Sequence, residues 1–227
     1  HLQSGAAPTR GGRPIARFGM VQELLAGMDA DLYAIESAAF LAAGMIDAGR
    51  ETMLEAACCK LFATERLWSI ANDALQVTGG YGYMREYPYE RALRDCRIFR
   101  IWEGTNDILR LFIALTAMND VGAQLADLAA SLKGVLNDPI KGFGVLSEYA
   151  LRRASLVTNL GREGGAFTRL SAVLKPQAEA FESHTRDLAT AADRILRKHG
   201  KRIVDMQFAT GRLADIMIDL FLMACVL

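Results

Sequence analysis

The chain has 227 residues, 52% of them hydrophobic, with 26 basic and 26 acidic side chains and therefore no net formal charge. That length buries a sizeable core in one or two domains, and the even charge balance argues against nucleic-acid binding. Cys58, Cys59, Cys96 and Cys225 form no Cys-x-x-Cys pair, and adjacent residues on a helix cannot both face one metal, so a structural zinc is not expected. The thiols read instead as reduced and buried, as in an intracellular protein. No apolar run has the length of a membrane-spanning helix, and no signal peptide is evident. The chain begins at His1 rather than Met and reads as a fragment or truncated product.

Residues 1–12 are small, polar and glycine-rich, with no helical period. From Gly19 to Ala48, Val21, Leu24, Leu25, Met28, Leu32, Ile35 and Met45 recur at three- and four-residue steps, which predicts an amphipathic helix stopped by Gly49. A second helix is predicted from Thr52 to Thr78, with Leu54, Cys58, Leu61, Phe62, Trp68 and Leu75 on its apolar face and Gly79-Gly80 at its end. Pro88 is suited to start a short helix to about Arg97, because a first-turn residue needs no N–H. A third long helix is predicted from Thr105 to about Lys133. Asn137–Gly144, with one proline and two glycines, is a break and a domain boundary. Beyond it follow a helix over Val145–Leu160, a loop at Gly161–Gly165, and two long antiparallel helices, Leu170–Lys198 and Arg202–Leu227, joined through His199-Gly200. No alternating strand pattern of useful length occurs. The predicted fold class is all-α: an up-and-down helical bundle over 13–136 followed by a second helical domain over 145–227, with 1–12 as a non-matching or disordered segment.

The chemistry concentrates between Gln76 and Arg110. Two glycine-marked breaks, Gly79-Gly80 and Gly104, bracket a basic segment, and Glu103 stands beside the second. Thr105-Asn106-Asp107 looks like a helix start, whose free N–H groups favour an anion. The pattern suggests two helix ends converging on a phosphate-bearing ligand with an acid or base beside it. Ile98, Phe99, Ile101 and Trp102 surround Glu103 in sequence. A carboxylate held among such groups becomes a better proton acceptor, because its charged form is disfavoured. Each feature also has a plain structural explanation. Glu103 can simply precede a helix N-terminus, Thr105 can be an ordinary N-cap, and Gly79-Gly80 a helix C-cap. Arg91, Arg94, Asp95, Arg97 and Arg100 can form surface or interface salt bridges. Leu132–Gly161, apolar with interspersed Lys133, Lys141, Arg152 and Arg153, suits either a membrane interface or packing on the bundle.

QVTGGYGY, EYPYERALRD and RIWEGTNDILR resemble the C-terminal helical domain of flavin-dependent acyl-CoA dehydrogenases. Asn106-Asp107 and the tail segment IVDMQFATGRLADIMIDLF are most similar to the very-long-chain branch, which includes the paralogue that assembles respiratory complex I. The resemblance runs from about Gly12 to Leu115 and again in the tail. The family's N-terminal helical domain and middle β-domain have no counterpart in this sequence. The resemblance implies that Glu103 removes the α-proton of a long- or very-long-chain acyl-CoA while the β-hydrogen leaves as hydride to FAD, giving a trans-2-enoyl-CoA in fatty acid β-oxidation. It implies Gly104 against the substrate, Thr105, Asn106 and Asp107 on the FAD of the same subunit, and Gln76, Val77, Thr78, Gly79 and Gly80 on the FAD of a neighbour, hence a homodimer. Phe18 corresponds to a residue near the flavin, with a core role as the alternative. The family's Arg-x-x-Phe-Gly flavin contact is matched only at its end, by Gly12, Arg13 and Ile15; Pro8 and Gly11 replace its Arg and Phe. Further implied are an electron-transfer flavoprotein as acceptor, peripheral membrane contact, and a mitochondrial matrix location in a eukaryote or a cytoplasmic one in a bacterium. A different class of function, a non-catalytic scaffold or assembly module like the complex I paralogue, fits the absent domains and the departed Arg-x-x-Phe-Gly pattern.

Overall fold

Helix propensity, glycine stops and one proline account for most element boundaries in the computed structural model, which describes residues 9–10, 12–118, 167 and 170–227. The chain divides into two compact units between Asn106 and Asp107. In the first, Thr9–Arg10 (β1) and Arg13–Pro14 (β2) pair as a two-residue antiparallel ladder ahead of a 3-10 turn at Ile15–Arg17. Helix α1 spans Gly19–Asp47 and α2 spans Met53–Thr78. A one-turn helix, α3 (Gly80–Tyr83), leads to α4 (Tyr89–Cys96), which follows Pro88 and runs into a 3-10 turn at Arg97–Arg100.

The α1 stop shows how sequence sets the boundary. Gly49 takes φ 71°, its N–H reaches Ile46 O at 2.8 Å, and the Arg50 N–H reaches Met45 O at 3.0 Å. These are the two bonds of a Schellman closure, which needs a left-handed residue where glycine carries no steric cost. Helices α1 and α2 then pack antiparallel. The Cys59 thiol donates to Ala38 O at 3.5 Å, while Arg66 pairs with Asp31 at 3.6 Å, in opposite order along the two helices. The buried residues of the pair are mostly small: Ala38 and Ala42 of α1, and Ala57 and Cys58 of α2, with Leu61 the one large side chain among them. Small side chains let two helix axes approach closely. The larger apolar residues of α1 are only partly covered, and Leu32 (48%), Phe40 (77%) and Ile46 (59%) are substantially exposed. The expected amphipathic stripe is present, but within this chain it is not the core.

The second unit opens at Asp107, within a helix described from 106 to 118 whose buried apolar residues are Ile113, Ala114 and Met118. Arg110 pairs with Asp215 at 2.7 Å. Helix α6 (Lys175–His199) and helix α7 (Gln207–Val226) are joined by a 3-10 segment at Gly200–Asp205; the helix from 106 is α5. Phe167 packs edge-on against Phe181 with ring centroids 5.3 Å apart. Thr210, Leu213, Ala214, Ile218, Leu220 and Leu222 bury the inner face of α7. The break at Asn137–Gly144, the helix over Val145–Leu160, the loop at 161–165 and the basic apolar stretch Leu132–Gly161 lie outside the described residues. The described residues are helical apart from the short β1–β2 ladder and connecting turns, so the fold class is all-α.

Candidate active site

Glu103 and Gly104 both occupy the left-handed region, at φ 55° and 88°, and Glu103 is the single non-glycine residue with positive φ among the described residues. A side-chain-bearing residue held there costs about 1–3 kcal/mol, and such strain persists only where the surroundings fix it. The fixing group is on α2. Lys60 Nζ donates to Gly104 O at 2.7 Å and to Asn106 Oδ1 at 2.8 Å. Asn106, 2% exposed, donates from Nδ2 to Thr64 Oγ1 and Glu65 Oε1, both at 3.0 Å. The Thr64 hydroxyl in turn donates to Lys60 O at 2.9 Å. Glu65 Oε2 is paired with Arg100 Nη2 at 2.8 Å. The turn that carries Glu103 is thus tied at both ends to one face of α2. Burial lowers the pKa of Lys60, and the charges of Glu65 and Glu103 oppose that shift.

The sequence reading located Glu103 correctly at the turn but misjudged its surroundings. Glu103 is exposed, as are Ile98 (43%), Ile101 (47%) and Trp102 (51%). Adjacency in sequence does not enclose a side chain: the 3-10 turn at Arg97–Arg100 splays these residues around the chain, and only Phe99 stacks on Trp102, with centroids 5.4 Å apart. Gly104 is exposed and Thr105 half-buried just before α5. Asn106 turns its side chain inward, so only its backbone faces outward chemistry. Asp107 is exposed and is the first residue of the second unit.

The second predicted cluster sits at the C-terminal end of α2. Gly79 caps that helix at φ 59° with its N–H on Gln76 O at 3.2 Å. Gln76, Gly79 and Gly80 are exposed, Val77 and Thr78 half-buried. The Thr78 hydroxyl donates within the helix, to Ala74 O or Leu75 O, each at 2.9 Å. The turn at Gly104–Asn106 is anchored on Lys60, Thr64 and Glu65, whereas Gln76–Gly80 lie at the C-terminal end of the same helix. The anchor residues Lys60–Glu65 precede Gln76 by 11 to 16 positions on the same helix, roughly 16–24 Å along its axis at ~1.5 Å per residue.

Part of the arginine cluster is paired within α4, and Arg100 reaches Glu65 of α2 while its Nε is buried without a hydrogen-bond partner. Arg94 pairs with Glu90 at 2.9 Å and Arg91 with Asp95 at 3.4 Å, both four residues apart on α4. The Arg97 guanidinium lies 5.8 Å over the Trp68 ring. Phe18, 39% exposed, starts α1, its carbonyl accepting from the Val21 and Gln22 N–H groups at 3.0 Å. Lys60, Thr64 and Glu65 are the residues that sequence reasoning missed. So is Gly82, where a Cβ would clash with Thr78 Oγ1 and come within 2.6 Å of Leu75 O. No group of metal-ligating side chains able to hold an ion exists among the described residues, and no described helix is long and apolar enough to cross a membrane.

Comparison with known proteins gives this geometry a lineage. Residues 5–118 match the acyl-CoA dehydrogenase C-terminal domain, and residues 172–227 match the ACAD9/ACADV C-terminal domain. The very long-chain specific acyl-CoA dehydrogenase of Bos taurus mitochondria is 40% identical over 227 residues, all of this chain and 34% of that protein. The Homo sapiens enzyme of the same name is 40% identical over 220 residues, 96% of this chain and 33% of that protein. The crystal structure of an acyl-CoA dehydrogenase complexed with FAD from Bacillus anthracis superimposes with a TM-score of 0.75 at 26% identity, covering 96% of this chain and 37% of that one. The chain therefore spans about a third of the length of the curated relatives it matches, and it belongs to the acyl-CoA dehydrogenase family.

Proposed function

We propose that the protein dehydrogenates long- or very-long-chain acyl-CoA thioesters at Cα–Cβ to the trans-2-enoyl-CoA, with Glu103 as the base. The observation that carries this reading is the turn itself: an exposed carboxylate on strained, left-handed backbone, held from α2 at both ends. Strain kept in place by a dedicated network is characteristic of reacting groups. Glu103 takes the α-proton onto a carboxylate oxygen. Gly104, without a side chain, leaves room for the thioester to lie along the backbone. An α-proton of this kind is weakly acidic, so removal requires that the thioester carbonyl be polarised at the same moment.

The residues present suit FAD. Gly80 is exposed, is not left-handed, and a Cβ there would meet nothing within 4 Å, so packing within the chain does not demand glycine at that position. The bare backbone of Gly79-Gly80 suits close approach by a ligand. We assign cofactor contacts to Gln76, Val77, Thr78, Gly79 and Gly80, and to Thr105, Asn106 through its backbone, and Asp107. When bound, FAD supplies the acceptor for the β-hydrogen. The separation of the two clusters along α2 supports assigning them to two different cofactors, and hence a homodimer in which each chain serves both. An electron-transfer flavoprotein as the onward acceptor, a mitochondrial location as named for the relatives, and the division into 13–136 and 145–227 belong to the same proposal.

The test is anaerobic mixing of the FAD-loaded full-length protein with a long-chain acyl-CoA. Bleaching of the visible flavin band with matching formation of trans-2-enoyl-CoA is expected. A flavin-loaded protein that no acyl-CoA of any chain length bleaches would refute the reading.

A further inference from the structure

We infer that Lys60 is a positioning residue for Glu103, acting through the backbone of the turn rather than on the substrate. The inference rests on the reading of Glu103 as base and adds what aims it. Glu103 and Gly104 are consecutive left-handed residues, and the carbonyl of the second, Gly104 O, accepts from Lys60 Nζ at 2.7 Å. The same ammonium holds Asn106 Oδ1 at 2.8 Å, so one charge grips the turn on both sides of Thr105. Lys60 stands within the N-terminal half of α2, next in sequence to buried Leu61 (3% exposed) and two residues after buried Cys58 (4% exposed). A rigid helix is a better base for aiming a side chain than a loop is. Asn106 is held by Thr64 and Glu65 as well, so loss of Lys60 leaves the start of α5 attached while freeing the Gly104-Thr105 peptide that follows the base. The role is therefore separable from folding. A lysine is suited to it because its flexible stem brings a compact, multiply donating charge to a carbonyl and an amide oxygen at once.

The experiment is steady-state and single-turnover kinetics of Lys60→Met in the FAD-loaded full-length protein, with ordinary and α-deuterated long-chain acyl-CoA. Methionine keeps the stem's length and apolar packing and removes every donor. A misplaced base lowers kcat by about 10²-fold, with KM and flavin content within about twofold of the parent. The deuterium effect on flavin reduction rises, because α-proton transfer has become slower relative to the other steps. Lys60→Arg, which keeps the charge with a different fork, recovers part of the rate, and it serves as the test if Lys60→Met does not fold. A variant that turns over at the parental rate, or loses rate only in proportion to lost flavin, overturns the assignment. Glu103→Gln measured alongside separates the two claims. If it is inactive while Lys60→Met is normal, the base stands and the positioning role falls; if it is itself normal, both fall.

Discussion

Gly82 and Asn106 are the residues at which single atoms decide whether the site-bearing unit folds. At Gly82 an added methyl group would sit against the Thr78 hydroxyl and the Leu75 carbonyl, at 2.6 Å from the latter. Backbone oxygen cannot move aside without unwinding the last turn of α2, so Gly82→Ala is expected to destabilise by about 1–3 kcal/mol, read as a lower urea midpoint at unchanged m-value. Asn106 uses both ends of its amide against Lys60, Thr64 and Glu65. Asn106→Ala leaves those groups without their partner in a buried setting, and a loss of about 1–3 kcal/mol is expected, visible as a lower thermal midpoint. Neither role was legible in the sequence. Gly82 lies in a glycine-tyrosine run that reads as a turn, and the Lys60–Asn106 contact joins residues 46 positions apart, which no local pattern encodes. Glu103 was legible as a candidate base because it stands alone between apolar neighbours and Gly104, yet its exposure was not, since burial depends on what folds over it.

Among the elements, boundaries set by backbone chemistry were read correctly: Gly49 and Gly79 stop α1 and α2, and Pro88 precedes α4. The start of α1 is set by no capping side chain, and its packing through Ala38 and Ala42 was invisible to a search for large apolar residues. Helix α4 carries a pH-dependent pair. The hydrogen bond from Arg94, followed by its charge, holds Glu90 below the ordinary glutamate range. The folded pKa is below the unfolded one, so this contribution is complete above the ordinary glutamate value and is lost as pH falls through the lowered one. Replacing Arg94 with Ala is expected to move the Glu90 carboxyl midpoint upward toward the ordinary value. A carboxyl-detected NMR titration checks it, and an unmoved midpoint would show that the pair is not formed in solution.

Across the whole molecule, the separation of the Gln76–Gly80 and Glu103–Asn106 clusters along α2 governs how cofactor binding should behave. In the proposed arrangement each chain supplies two half-sites, so FAD binding and self-association are expected to be coupled. Sedimentation of the full-length protein at increasing dilution should show FAD released as the dimer dissociates; a monomer retaining stoichiometric FAD would contradict the two-chain arrangement. The all-α class followed from the absence of alternation and the regular three- and four-residue spacing, whereas the proposed pairing of clusters from two chains has no signature in the periodicity of one.

The claim on which the rest depends is that Glu103 is the proton acceptor, and the direct measurement is the rate of flavin reduction by a long-chain acyl-CoA in Glu103→Gln. The substitution keeps size and hydrogen bonding and removes the base, so it separates proton transfer from folding and cofactor retention. A fall of about 10²–10⁴-fold with FAD still bound is predicted; reduction at the parental rate would contradict it.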